Sequence, residues 1–207
     1  GARPVEWVLH NMELDDSCCF IHCTQMQPHE TRELAKSGAI AGLCPITESN
    51  LGDGIFDGVS WLNTGGAIAI GSDSNIRISL SEEIRTLEYS QRLRDHSRAA
   101  LASDDKSTGR RIFDEITIGG ANAAGRKTGK ISVGYWADLL ALDGNAVNCA
   151  CHTDDTILDS FVFAGDDRLV KDVWSAGRHV VTEGRHSEKN NISSEFSKTL
   201  NSIACNI

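Results

Sequence analysis

Apolar positions in the first hundred residues alternate between two periods. In residues 3–12, Val5, Val8 and Leu9 recur at helical spacing, and Pro4 sits in the first turn, where its missing N–H is harmless. Cys18-Cys19-Phe20-Ile21-His22-Cys23-Thr24 is then a short, nearly continuous apolar run. A second helical stretch, residues 29–37, closes with Lys36 and Gly38, a favourable C-terminal pair. Ala39-Ile40-Ala41-Gly42-Leu43-Cys44 is the next continuous run, and Pro45 stops it. The polar stretch 47–54 predicts a loop, and 56–63 a short helix. Gly65-Gly66 then opens Ala67-Ile68-Ala69-Ile70, which continues into Gly71-Ser72-Asp73-Ser74. Short apolar runs bounded by turn residues predict buried strands of a parallel sheet.

The strongest helical pattern covers residues 79–96, with a capping-type start at Ser79-Leu80-Ser81-Glu82 and an apolar face of Leu80, Ile84 and Leu87. Another helix is predicted over 111–124, weakened by Gly119-Gly120. Helices and strands therefore alternate, as in βα units around a parallel sheet, and the fold class predicted is α/β. Farther on the period shortens. Residues 137–142, 160–164, 170–174 and 179–182 read as short strands of a β subdomain over 128–186. Residues 187–207 form a polar tail, frayed or weakly helical.

Composition narrows the function classes. The chain has 207 residues, 40% of them hydrophobic, and a formal net charge of −9. An acidic balance argues against nucleic acid as an electrostatic partner. No apolar stretch approaches the ~20 residues of a membrane span, and residues 1–6 lack the layout of a secretory signal. The expected setting is cytoplasmic, with a small-molecule substrate and with homo-oligomerisation left open. Seven cysteines, an odd count, fit reduced thiols. Cys18, Cys19, Cys23 and Cys44 lie in apolar runs, and Cys149-Ala150-Cys151-His152 has no second pair to complete a structural zinc site.

Candidate chemistry comes from two strand ends. Asp73 ends one apolar run and His22 ends another. A carboxylate at the C-terminal end of a parallel strand sits where α/β barrels place their chemistry, and burying it unpaired is expensive. Taken alone, Asp73 could equally cap the next turn, and His22 could be a hydrogen-bonded core residue. If the reading is right, the strand ending at Pro45 lies between them. Neighbouring strands being ~4.8 Å apart, the two side chains should approach within roughly 10 Å.

In this order, with Gly134-x-x-Ala137-Asp138-Leu139 and Gly177-Arg178 in the tail, the chain resembles the amidohydrolase superfamily. Arg3-Pro4-Val5-Glu6-Trp7, Gly42-Leu43-Cys44-Pro45, Thr47-Glu48-Ser49-Asn50-Leu51-Gly52-Asp53-Gly54-Ile55-Phe56 and Leu87-Glu88-Tyr89-Ser90-Gln91-Arg92-Leu93-Arg94 are similar to the formimidoylglutamate deiminase family within it. The resemblance implies the C-terminal part of a (β/α)₈ TIM-type barrel (about strands six to eight, residues 1–127) and a small β-sandwich (128–186). It implies hydrolytic deimination of N-formimidoyl-L-glutamate to N-formyl-L-glutamate and ammonia, a step of histidine degradation. A single Zn²⁺ would activate the water.

On the same resemblance Asp73 is a metal ligand and proton acceptor, and His22 is catalytic. Asn50 and Asp53 lie on a loop over the active site as candidate substrate contacts. Gln25 and Asn75 stand where the family commonly carries histidines, which bears on substrate fit. The barrel alone typically needs ~250 residues, and the His-x-His pair of the family is absent from this sequence. The expectation is therefore an incomplete C-terminal portion, inactive alone. Rival expectations are a guanine-type deaminase of the same superfamily and a non-catalytic fragment.

Overall fold

Parallel pairing of three short strands organises the N-terminal two thirds of the chain. The computed structural model describes residues 1–204. Its elements begin with α1 (Pro4–Asn11), β1 (Cys19–Ile21), α2 (Pro28–Lys36), β2 (Ile40–Leu43), α3 (Pro45–Leu51), α4 (Gly58–Asn63) and β3 (Ala67–Ile70). The helices α5 (Leu80–Asp95) and α6 (Thr108–Ala123) follow. The sheet order is β1-β2-β3, with Cys19 opposite Ile40 and Ile40 opposite Ala67, both pairings parallel. All four residues of β2 are buried, as a central strand covered on both faces requires.

The α5 motif that carried much of the resemblance serves packing. Glu88 is fully buried and accepts from Ala100 N, Leu101 N and Arg92 Nε at 2.8, 2.9 and 2.6 Å, so its charge is compensated. Gln91, also fully buried, accepts from Gly58 N and donates to Phe56 O. Arg94 reaches Asp57 at 3.0 Å. These contacts pin the segment before α4 to α5. Trp61 of α4 fills the core at zero exposure and donates to Ala67 O.

Two expectations change. Residues 47–51 of the stretch 47–54 are helix and not loop: Pro45 follows β2 but also starts α3, because proline is tolerated at the first helical position. Residues 160–164 are not a strand. They form a π-helical turn continuing α7 (Asp155–Asp159), and they belong to the first unit of the chain, residues 1–135 and 144–167. Of the small β-sandwich expected over 128–186, the described residues hold one four-stranded antiparallel sheet, in a second unit of residues 136–143 and 168 onward. Its order is β4 (Leu139–Leu142), β5 (Val170–Ser175), β6 (Arg178–Thr182) and β7 (Arg185–His186). The last element, α8 (Lys189–Ala204), is exposed throughout.

In the α6 glycine pair, Gly119 is a packing device and only Gly120 is a weak point. A Cβ on Gly119 would lie 2.0 Å from Ile68 O, so only glycine lets α6 approach β3 this closely, whereas a Cβ on Gly120 would meet nothing within 4 Å. Gly119→Ala should therefore lower the unfolding free energy by about 2 kcal/mol or more through overpacking against backbone. Gly120→Ala should be neutral or stabilising by up to ~1 kcal/mol from helix propensity. Urea titration of the two variants checks the contrast, and equal effects would contradict this packing.

Candidate metal centre and catalytic dyad

Because both strand pairings are parallel, the carboxyl ends of β1, β2 and β3 share one edge of the sheet, and each delivers one side chain there. His22 follows β1 directly, and its N–H donates to Gly42 O at 2.8 Å, extending the ladder by one rung. Its φ of 69° is left-handed, as is the 53° of Cys23, so the chain curls at the strand end. Asp73 lies three residues past β3, also left-handed at φ 53°, and one carboxylate oxygen accepts from Ser74 N. Cys44 sits between them as the N-cap of α3.

The structure brings the two sequence candidates together. His22 Nε2 is 3.7 Å from Asp73 Oδ2, with β2 between the strands that carry them, and each side chain is about one third exposed (35% and 33%). Among the described residues, His22, Cys44 and Asp73 form the one group of three ligand-type side chains whose donor atoms lie within 4.8 Å of one another. An imidazole, a sulfur and a carboxylate are the donor types that zinc takes, and tetrahedral ligands stand about 3.3–3.8 Å apart, so a small closure would suffice. Cys44 is buried, and its thiol is pushed up to about 11, first by burial and then by the carboxylates of Glu48, Asp73 and Glu83. It is therefore a neutral thiol near pH 7.

Two glutamates that sequence reasoning passed over stand behind this edge. Glu48, buried in α3, places Oε1 3.3 Å from His22 Nδ1 and accepts from Cys44 N at 2.8 Å. Burial raises its pKa, while the Cys44 amide and His22 pull it back down. Glu83 of α5 accepts from Ile46 N at 2.8 Å through Oε2, while its buried Oε1 has no hydrogen-bond partner. Its pKa is raised to about 7 by burial, against the Ile46 amide, with Glu48, Glu82 and Asp73 adding repulsion. The signal available for Glu48 was a proline at the first helical position with an acid in the first turn. For Glu83 it was an acid on the apolar side of α5, one residue before Ile84.

The substrate-contact candidates also tie neighbouring segments together. Asn50 Oδ1 accepts from Asn75 Nδ2 at 2.9 Å, and the same nitrogen reaches Thr47 Oγ1 at 3.0 Å. Asn75 thus fastens the segment after Asp73 to α3. The Asp53 carbonyl accepts from Thr24 Oγ1 and Gln25 Nε2, joining the end of α3 to the segment after His22. Other histidines have partners of their own: His29 meets Glu6, and His179 stacks on Trp174 and pairs with Asp172 at 2.7 Å.

The amidohydrolase family model matches residues 3–180, and the chain belongs to that family. It is 45% identical over 204 residues to formimidoylglutamate deiminase of Pseudomonas aeruginosa PAO1, covering 98% of this chain and 45% of the relative. A crystal structure of an amidohydrolase from Brucella melitensis superposes with a TM-score of 0.92 at 42% identity, over 99% of this chain and 45% of that one. An adenosine deaminase from Xanthomonas campestris, crystallised with bound zinc, shares the fold at a TM-score of 0.85 and 23% identity, over 99% of this chain and 46% of that one. The chain spans about half the length of these relatives. No helix among the described residues is long and apolar enough to cross a membrane.

Glu83 makes the stability of the unit pH-dependent in a calculable direction. Its folded pKa of about 7 lies above the ordinary 4.5, so the native state binds the proton more tightly than the unfolded chain. That contribution is fully present below about pH 4.5 and is lost as pH rises through 7. Wild type should lose on the order of 1–3 kcal/mol over that window relative to Glu83→Gln, which removes the slope. Paired urea titrations at pH 5 and 8 measure it. An unchanged difference between the two proteins would contradict the assignment.

Proposed function

We propose that this chain contributes His22 and Asp73 to the zinc-dependent hydrolytic deimination of N-formimidoyl-L-glutamate, giving N-formyl-L-glutamate and ammonia. The 45% identity to a formimidoylglutamate deiminase along 98% of the chain supports the substrate. The observation that carries the chemistry is the 3.7 Å approach of His22 Nε2 to Asp73 Oδ2 at one sheet edge.

Asp73 would hold the ion, with Cys44 and His22 in reach of it. When bound, Zn²⁺ supplies Lewis acidity that lowers the pKa of water toward ~7. The reaction adds a water oxygen to the amidine carbon and breaks its bond to the terminal nitrogen, which leaves as ammonia after taking up protons. Asp73 takes the proton that water gives up. His22 holds or moves a proton at Nε2, next to the charge that develops on the substrate. Asn50 and Asp53 are retained as substrate contacts of the rim, Asn50 through its amide donors because its oxygen already accepts from Asn75.

One carboxylate, one imidazole and one neutral thiol fall short of a complete catalytic zinc site. The remaining ligands are assigned to polypeptide outside these 207 residues. The chain alone should release no ammonia from formimidoylglutamate above background. Joined or co-expressed with the remaining length of the relatives, it should turn over. In that assembly Asp73→Asn should abolish activity, and His22→Asn should lower kcat by ~10²-fold or more with metal retained. Ammonia assay and metal analysis check both variants, and an Asp73→Asn protein with unimpaired rate would overturn the reading. Turnover of guanine or adenosine in place of the amidine would move the substrate class.

A further inference from the structure

The imidazole of His22 lies between two carboxylates, and only one of them faces the open edge. Asp73 stands 3.7 Å from Nε2 and is about one third exposed. On the other side Glu48, buried at 5% exposure, stands 3.3 Å from Nδ1. No reacting group can enter between Nδ1 and Glu48 at that separation. The contact therefore acts through the imidazole and not on a substrate.

We propose that Glu48 is a positioning residue for His22: its carboxylate accepts the Nδ1 proton, fixing the tautomer whose Nε2 carries a lone pair toward Asp73. The proposal rests on the functional reading above for its catalytic consequence, but not for its structural content.

The hydrogen-bond pattern selects the tautomer. The oxygen that meets Nδ1 is the same Oε1 that accepts from Cys44 N at 2.8 Å. A backbone N–H can only donate, so Oε1 is an acceptor there, and a proton on this carboxyl group would reside on Oε2. Nδ1 faces an oxygen lone pair at 3.3 Å, within hydrogen-bond range, and must carry the hydrogen, because the other neutral tautomer would set two lone pairs against each other there; Asp73 Oδ2, at 3.7 Å from Nε2, lies beyond that range and competes less for it. Neutral His22 is then left to take up a proton, and to return it, at Nε2, the atom directed at Asp73.

Glu48 can hold this position because three constraints fix it. Its own N–H donates to Cys44 O at 2.9 Å in the first turn of α3. Pro45 sets where that turn begins. The Cys44 amide anchors the carboxylate end. His22 is fixed in turn by its backbone bond to Gly42 O and its left-handed φ of 69°. A side chain held by its own backbone and by β2 loses little freedom on accepting from the imidazole.

The test reads the tautomer directly, by long-range ¹H–¹⁵N correlation of the histidine rings in the 207-residue chain, well above the ordinary imidazole pKa of about 6.5. Wild-type His22 should show a pyrrole-type Nδ1 and a pyridine-type Nε2. Glu48→Ala should shift it toward the Nε2–H form, and Glu48→Gln, which keeps an acceptor oxygen, should preserve most of the Nδ1–H population. An Nε2–H tautomer in the wild type overturns the proposal with no variant needed. So does an unmoved tautomer in a folded Glu48→Ala chain. In the enzyme assembled with the remaining length of its relatives, Glu48→Ala should lower kcat about tenfold or more at little-changed KM, as for other partners that orient an active-site imidazole. An Nδ1–H tautomer together with no ammonia release from the assembled wild type would sink the substrate assignment and leave the positioning role standing.

Discussion

The parallel alignment of β1, β2 and β3 is the constraint on which the site depends. A parallel crossover returns each strand in the same direction, so three strand ends share one edge. With Cys19 opposite Ile40 and Ile40 opposite Ala67, the residues past the ends fall close enough for His22 and Asp73 to meet. A slip of one residue would turn each side chain to the other face of the sheet. Packing prevents it: α6 sits on β3 through Gly119, and Trp61 bonds the first residue of β3. Gly42 provides a further lock, because a Cβ there would meet Ile21 Cδ1 at 2.8 Å.

Four buried glutamates, Glu30, Glu48, Glu83 and Glu88, share a second theme. Each accepts from backbone N–H groups: Gln27 N, Cys44 N, Ile46 N, and Ala100 with Leu101 N. An ionised carboxylate can be buried only where such donors or a cation offset the lost hydration. Glu88 and Glu30 have both, through Arg92 and Arg3. Glu48 and Glu83 have amide donors and no arginine, and theirs are the two raised pKa values. The less compensated pair lies behind the candidate centre, where Asp73 adds further negative charge against Glu83 and Cys44. Such a concentration of negative potential suits an edge that receives a divalent cation.

Much of this was legible in the chain. The continuous runs at 18–24, 39–44 and 67–70 became β1, β2 and β3, because buried parallel strands need no alternation. His22 and Asp73 stood out as polar residues ending apolar runs. The supporting layer was not legible. Glu48 and Asn50 lay in what read as a polar loop, because Thr, Glu, Ser and Asn in succession carry a turn-like composition, while proline at the first helical position and burial of one face made it α3. Glu83 carried no local signal that sets it apart from the other acids of its helix, and its burial comes from tertiary packing. Residues 160–164, aromatic and β-branched, read as a strand, yet Phe161 and Val162 are buried among helices. Local propensity identifies the strands, and contacts distant in sequence decide what stands behind them.

The central claim is that Asp73, at the end of β3 and facing His22, is the residue of this chain that holds the catalytic ion. The most direct measurement is anomalous diffraction at the zinc edge from crystals of the chain assembled with the remaining length of its relatives. The account predicts a single peak about 2.0–2.2 Å from an Asp73 carboxylate oxygen, on the side that faces His22 Nε2. A peak remote from Asp73, for example at the His179–Asp172 pair, or no peak in a protein that still turns over, would contradict it.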